Sequence, residues 1–124
     1  MINNKLIAEF IPYAEALALK ELGFNESCFG YYGVENKLHI EVSSNLDSNL
    51  TRRNFITAPT FSQAFRWFRE KHELHSYFYR TNDLKSIMYT IDGGSFTEQS
   101  WFDTYEKAEF KCLNKLIEIT KNKK

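Results

Sequence analysis

Between Ala58 and Leu74 the sequence APTFSQAFRWFREKHEL places apolar side chains at helical spacing. With about 100° of rotation per residue, Phe61, Ala64, Phe65, Phe68 and His72 share one face. Ser62, Gln63, Arg66, Arg69, Glu70 and Glu73 fall on the other, with Trp67 and Lys71 at the boundary. Thr60 and Gln63 form a capping box, and Pro59 keeps Ala58 out of helical geometry. Each Phe on that stripe would contribute roughly 1.5–3 kcal/mol if fully buried, so the stripe reads as a core face. The competing reading is a groove-binding helix that shows Phe and Trp to a partner.

The flanking segments supply material to pack on this helix. YAEALALKEL (13–22) is rich in helix formers and lies between Pro12 and Gly23, residues suited to a helix start and a helix end. Its apolar positions spread around the axis and several are Ala, which suits close packing on a sheet. The lead-in is expected to be extended at Leu6–Phe10. Ser27–Tyr32 and Leu38–Val42 read as strands joined by a turn through Gly33, Glu35 and Asn36. Alternation along Leu38, Ile40 and Val42 turns His39 to solvent. Residues 43–57, SSNLDSNLTRRNFIT, read as a long polar loop.

After the central helix, His75–Arg80 and Lys85–Ile91 read as a hairpin around Thr81, Asn82 and Asp83. Asp92, Gly93 and Gly94 signal a second turn, and Ser95–Phe102 a third strand. Asp103 or Thr104 caps a last helix with Glu106 in its first turn. Tyr105, Ala108, Cys112, Leu116 and Ile119 make its apolar stripe, and Phe110, Leu113 and Ile117 widen the arc to roughly half the circumference. So wide a face implies cover on two sides or a homodimer interface. The chain ends in a short basic tail, KNKK. The expected fold is α+β, an antiparallel sheet covered by helices, with the order α-β-β-α-β-β-(β)-α. The helix–strand–turn–strand order occurs twice, with low identity between the halves.

The length, 124 residues, implies a single globular domain spanning 1–124. Sixteen basic and sixteen acidic residues cancel, which speaks against non-specific nucleic-acid affinity and against a polybasic membrane anchor. Eleven Phe, seven Tyr and two Trp are more than a core of this size hides, so a surface aromatic cluster is expected. Cys28 and Cys112 show no metal or redox spacing and read as buried free thiols of a reducing compartment. The N-terminus has no signal-peptide pattern, and no apolar run reaches membrane-spanning length. A cytoplasmic protein is expected.

Motifs for catalysis are missing from the sequence. It contains no Walker loop, dinucleotide fingerprint, nucleophile elbow or zinc spacing, so no cofactor, metal or enzymatic activity is expected. His72 and His75 are three apart rather than four, and His75 falls beyond the helix. A Cys–His pair would need Cys28 or Cys112 to meet a histidine in space. Asp92-Gly93-Gly94 reads as a hairpin turn rather than an anion-binding loop. The α-β-β-β-α order from Thr60 to Thr120 is also that of double-stranded-RNA-binding domains. Those domains open their last helix with lysines; here it opens with Asp103, Glu106 and Glu109, and only Lys107 and Lys111 are basic. Nucleic-acid binding is therefore the alternative reading, and it needs Arg52, Arg53, Arg66, Arg69 and Lys107 to converge. The candidate partner-contacting residues are Trp67, Arg66, Arg69, Trp101 and the loop dyad Arg52 and Arg53.

Three blocks carry a resemblance: EALALKELGF (15–24), ITAPTFSQAFRWFREKHEL (56–74) and TYEKAEFKCLNKLIEI (104–119). They are similar to blocks in small proteins from phages and prophages of Bacteroidetes gut bacteria. The blocks coincide with the three expected helices, so packing explains part of what is shared. The resemblance implies a genomic setting and an accessory role in a bacterial host cell. It carries over no activity and no functional residue. The expected function is a small non-catalytic interaction protein that binds a host or phage protein, with homodimerisation through the last helix.

Overall fold

The computed structural model describes residues 4–40, 46–47, 55–82, 85–92 and 97–122. Helices and antiparallel strands make an α+β fold. The elements in chain order are α1 (Asn4–Ile7), α2 (Tyr13–Glu21), β1 (Ser27–Cys28), β2 (Gly30–Tyr32), a 3-10 turn (Val34–Asn36) and β3 (Leu38–Ile40). There follow β4 (Leu46–Asp47), β5 (Ile56–Ala58), α3 (Phe61–His72), β6 (His75–Arg80), β7 (Ile87–Asp92), β8 (Thr97–Phe102) and α4 (Tyr105–Asn122). Residues gather into two compact units, Met1–Gln63 and Ala64–Lys124.

In the first unit, α2 stops where Gly23 takes φ +103°, a conformation that favours glycine. The Phe24 N–H returns to the Leu19 carbonyl at 2.9 Å and the Gly23 N–H to Lys20 at 3.0 Å, a Schellman closure with Leu19 and Phe24 both buried. As its small residues imply, α2 lies on a sheet, against β5. That sheet has the order β3-β2-β5, antiparallel throughout, with Tyr31 paired to His39 on one side and Thr57 on the other. His39 is exposed as expected, and its ring stacks on Tyr31 at 4.9 Å.

Three expectations change in this unit. The lead-in is not extended at Leu6: Asn4–Ile7 form a helical turn, and only Phe10 joins a β-bridge, with Thr60. The segment 43–57 is not all loop, because Leu46–Asp47 pair with Ser27–Cys28 and Ile56–Ala58 join the sheet. The strand expected over Ser27–Tyr32 is split at the exposed Phe29, its halves pairing in different sheets. Short polar stretches pair where a neighbouring backbone offers unmet donors and acceptors, which a hydropathy pattern does not register.

Thr60 accepts the Gln63 backbone N–H at 3.2 Å, so it caps α3 as read from the sequence. The other half of the expected box is absent: the Gln63 side-chain amide donates to Glu26 Oε1 and to the Ser27 carbonyl at 2.9 Å. In the second unit, β6, β7 and β8 form an antiparallel meander with Phe78 paired to Tyr89 and Met88 to Trp101. The hairpin and the third strand are both present. The Thr81 N–H closes the hairpin on the Ser86 carbonyl at 2.9 Å. The Asp92-Gly93-Gly94 turn lies largely outside the described residues.

One face of this sheet is covered. Phe78 lies 5.4 Å from Phe65 of α3 and 5.2 Å from Tyr105 of α4, and Tyr89 stacks on Phe102 at 5.8 Å. Tyr89, Ile91, Phe68 and Leu74 are buried with them. Thr104, not Asp103, caps α4 by accepting the Lys107 N–H at 3.1 Å. The buried stripe of α4 is Ala108, Cys112, Leu113, Leu116, Ile117 and Thr120. It is rotated from the expected stripe, leaving Tyr105 and Phe110 exposed. Most of the wide apolar arc is thus buried within the chain.

Candidate functional site

The face of the β6–β7–β8 sheet opposite the helices is open. Strand alternation puts Tyr77 and Tyr79 of β6, Met88 and Thr90 of β7 and Trp101 of β8 on it. Tyr79, Met88 and Trp101 are in register and make one row across all three strands. Trp101 is 67% exposed, Tyr77 52% and Tyr79 43%. Large aromatics leave that much surface in water only where no part of their own chain covers them.

Beside the row, Tyr79, Met88 and Trp101 floor a cleft of about 480 Å3 rimmed by Arg80, Thr81, Asn82 and Ser86. The rim is fixed by the hairpin end, where the Ser86 N–H also donates to Thr81 Oγ1 at 3.3 Å. Tyr79 Oη and Thr90 Oγ1 share a hydrogen bond of 3.2 Å, which holds the phenol flat along the sheet. An apolar floor with a polar rim can bury a partner's side chain and align the backbone around it.

The candidates read from the sequence do not converge. Trp101 belongs to the open face. Trp67 does not reach the surface: it is 3% exposed, edge-on to Phe68 at 5.0 Å and to His72 at 4.9 Å. Its boundary position on the wheel is overridden by the size of the indole, which fills the core beside Phe68. Arg66 and Arg69 are exposed on α3, in the layer that covers the other side of the sheet. Arg52 and Arg53 lie outside the described residues. Tyr77, Tyr79 and Met88 were missed. The alternation in HSYFYR separates Phe78 from the two tyrosines, but aromatics on both faces hide which face is covered.

Catalytic geometry is not evident in what is described. No group of His, Cys, Asp and Glu that could hold a metal ion occurs among the described residues. His72 packs on Trp67 and Phe68, while His75 sits opposite Asp92 at the sheet end. Cys28 and Cys112 are buried free thiols, Cys28 in the first unit and Cys112 in the second. Asp103 is held below the usual carboxylate range, first by its hydrogen bond from Lys107 and then by that residue's charge. Lys107, one of the two lysines on the first turns of α4, is thereby engaged by a carboxylate. No helix among the described residues is long and apolar enough to cross a membrane. Comparison with known protein families, with curated proteins and with solved structures found no match.

Proposed function

We propose that the chain is a non-catalytic accessory protein of a phage or prophage, that it works in the cytoplasm of the bacterial host, and that it binds a host or phage protein through the open sheet face. The observation that carries this reading is the row Tyr79–Met88–Trp101, in which the two aromatics are exposed and Met88 is half-buried between them, with Tyr77 and Arg80 beside it. Tyr, Trp, Met and Arg are the residue types enriched at protein interfaces, and buried Trp and Tyr anchors supply most of the binding energy there. The three sequence blocks similar to phage and prophage proteins support the setting.

Nucleic-acid binding is the second reading. The α3-β6-β7-β8-α4 order favours it, and exposed aromatics can stack on bases. The zero formal charge and the acidic start of α4 weigh against it. Affinity capture from host lysate with the tagged chain, beside its Tyr79→Ala/Trp101→Ala double variant, tests both. A stoichiometric protein captured by the parent chain and lost in the variant is the expected result. Nuclease-sensitive ultraviolet absorbance in the parent eluate that survives moderate salt would transfer the face to nucleic acid. A protein captured equally by both chains would move the interface elsewhere.

A further inference from the structure

Tyr79, Met88 and Trp101 are in register on neighbouring strands, so the two exposed rings stand two strand spacings apart, about 9.5 Å, with half-buried Met88 between them. That distance selects what can lie along the row. A polyproline II segment turns once in three residues and about 9.3 Å, so its residues i and i+3 meet both rings at once. Alternate residues of a β-strand are about 6.7 Å apart. An α-helix repeats at about 5.4 Å, or about 10.8 Å over two turns.

The polar groups beside the row fit the same backbone. A polyproline II chain makes no internal hydrogen bonds, and each proline in it lacks an N–H, so it presents carbonyls that need donors. The cleft supplies donors from the Arg80 guanidinium, the Asn82 amide, the Ser86 hydroxyl and the Trp101 indole N–H. An α-helix uses its carbonyls within itself and would leave these donors unmet. Among the described residues that line the cleft, Arg80 alone carries a charge, so the complementary ligand is acidic at the end over β6.

We infer that the cleft takes a proline-rich segment of the partner in the polyproline II conformation, with prolines three residues apart on Tyr79 and Trp101 and a carboxylate beside Arg80. This rests on the open face being a protein-binding surface and adds the chemistry of the segment recognised. Pyrrolidine rings suit the two aromatics because they are apolar and already ordered before binding, so docking costs little conformational entropy. The 3.2 Å hydrogen bond that Tyr79 shares with Thr90 fixes the phenol as one platform, and the flexible Met88 adapts to the residues between the prolines.

The test titrates end-blocked synthetic peptides into the purified full chain, followed by Trp emission and by backbone amide NMR shifts. One peptide has two prolines three apart and a glutamate flank. A second has alanines for the prolines, and a third has lysine for the glutamate. The first is expected to shift amides of β6, β7 and β8 and the emission of Trp101. The alanine peptide on the parent chain, and the first peptide on Tyr79→Ala or Trp101→Ala, should bind about tenfold more weakly or worse. The alanine peptide reads the interaction on the unaltered chain, so misfolding of a variant cannot imitate the result. Arg80→Gln should remove the advantage of the glutamate peptide over the lysine peptide. No shift at millimolar peptide overturns the inference, as does equal binding of the proline and alanine peptides, or tighter binding of oligothymidylate on the same strands. A lysate protein that the Tyr79→Ala/Trp101→Ala variant loses, but that the proline peptide fails to displace from the parent, overturns the inference and leaves the docking face standing. Capture of no protein that depends on the two rings overturns both.

Discussion

The ring of Phe10 occupies the space that any side chain on Gly30 would need: an added Cβ would lie 2.9 Å from Phe10 Cδ2 and Cε2 and 3.2 Å from the Ala58 carbonyl oxygen. Phe10 is buried there, and the same strand pair is bridged through Gly30 and Ala58. A Gly30→Ala substitution has no flexible neighbour to displace on the carbonyl side. It should destabilise the fold by about 1–3 kcal/mol, read from denaturant unfolding. Pairing it with Phe10→Leu should recover part of the loss, because the smaller side chain frees the contested space; strictly additive losses would refute the contact as the cause.

How much of this arrangement was legible beforehand depends on where the deciding interaction sits. Helix ends marked by Gly23, Thr60 and Thr104 carry local chemistry and were readable, while Pro12, suited to the first helical position, sits one residue earlier as the N-cap of α2. The α+β class, the hairpin and the third strand follow from period-2 runs bounded by turn residues. What escaped is set by distant partners. Leu46–Asp47 become a strand only because Ser27–Cys28 lie alongside. Trp67 moves from boundary to core because neighbouring rings enclose it. The open face could not be chosen from HSYFYR, since both of its faces are aromatic and the helices that cover one, α3 before it and α4 after it, meet it only through tertiary contacts.

Glu73 closes α3 at φ +56°, in the left-handed region, while the Leu74 N–H returns to the Phe68 carbonyl at 3.1 Å. A side chain there costs about 1–2 kcal/mol that glycine avoids. Part of that gain is offset by the greater freedom of glycine in the unfolded chain. Glu73→Gly is expected to raise stability by about 0.5–1 kcal/mol. Glu73→Ala keeps the strain and should leave the thermal midpoint nearly unchanged, so a matching gain in both variants would point to the lost charge instead.

Ser76 Oγ and Thr120 Oγ1 are buried with no hydrogen-bond partner among the described residues. A buried hydroxyl left without any partner costs about 1–3 kcal/mol by mutational scales. Thr120→Val keeps the shape and the branched Cβ while removing the unpaired hydroxyl. It should stabilise the fold by about 1 kcal/mol, and Ser76→Ala by less, since alanine is poorly suited to a strand. Destabilisation by Thr120→Val in calorimetry would mean that the hydroxyl is satisfied, by an ordered water for example.

Tyr32 donates its hydroxyl to the Ile11 carbonyl at 2.6 Å, and its pKa is raised above the ordinary tyrosine value, first by burial and then by the charge of Glu15. A raised folded pKa means the native state holds its proton harder than the unfolded chain does. The stability this adds is complete below the unfolded pKa and is lost as pH rises through the folded one. Unfolding free energy should therefore fall in the alkaline range, and Tyr32→Phe should flatten that fall while costing about 0.5–1.5 kcal/mol near neutrality. Glu15→Gln should bring the Tyr32 ionisation, followed by tyrosinate absorbance, to lower pH. An unchanged titration would remove Glu15 as a cause.

The two tryptophans divide the labour of core and surface, and fluorescence can separate them. Trp67 is 3% exposed among Phe68 and His72, whereas Trp101 is 67% exposed on the open face. A collisional quencher should reach Trp101 and spare Trp67. Trp101→Ala should abolish most of the quenchable, red-shifted emission and shift stability by no more than about 0.5 kcal/mol, as surface substitutions do. Trp67→Ala should remove the blue, protected emission and cost about 3–5 kcal/mol through the cavity it leaves. If Trp101→Ala proved as costly as Trp67→Ala, the indole would be packed against something, and the open face could not serve as a free docking surface.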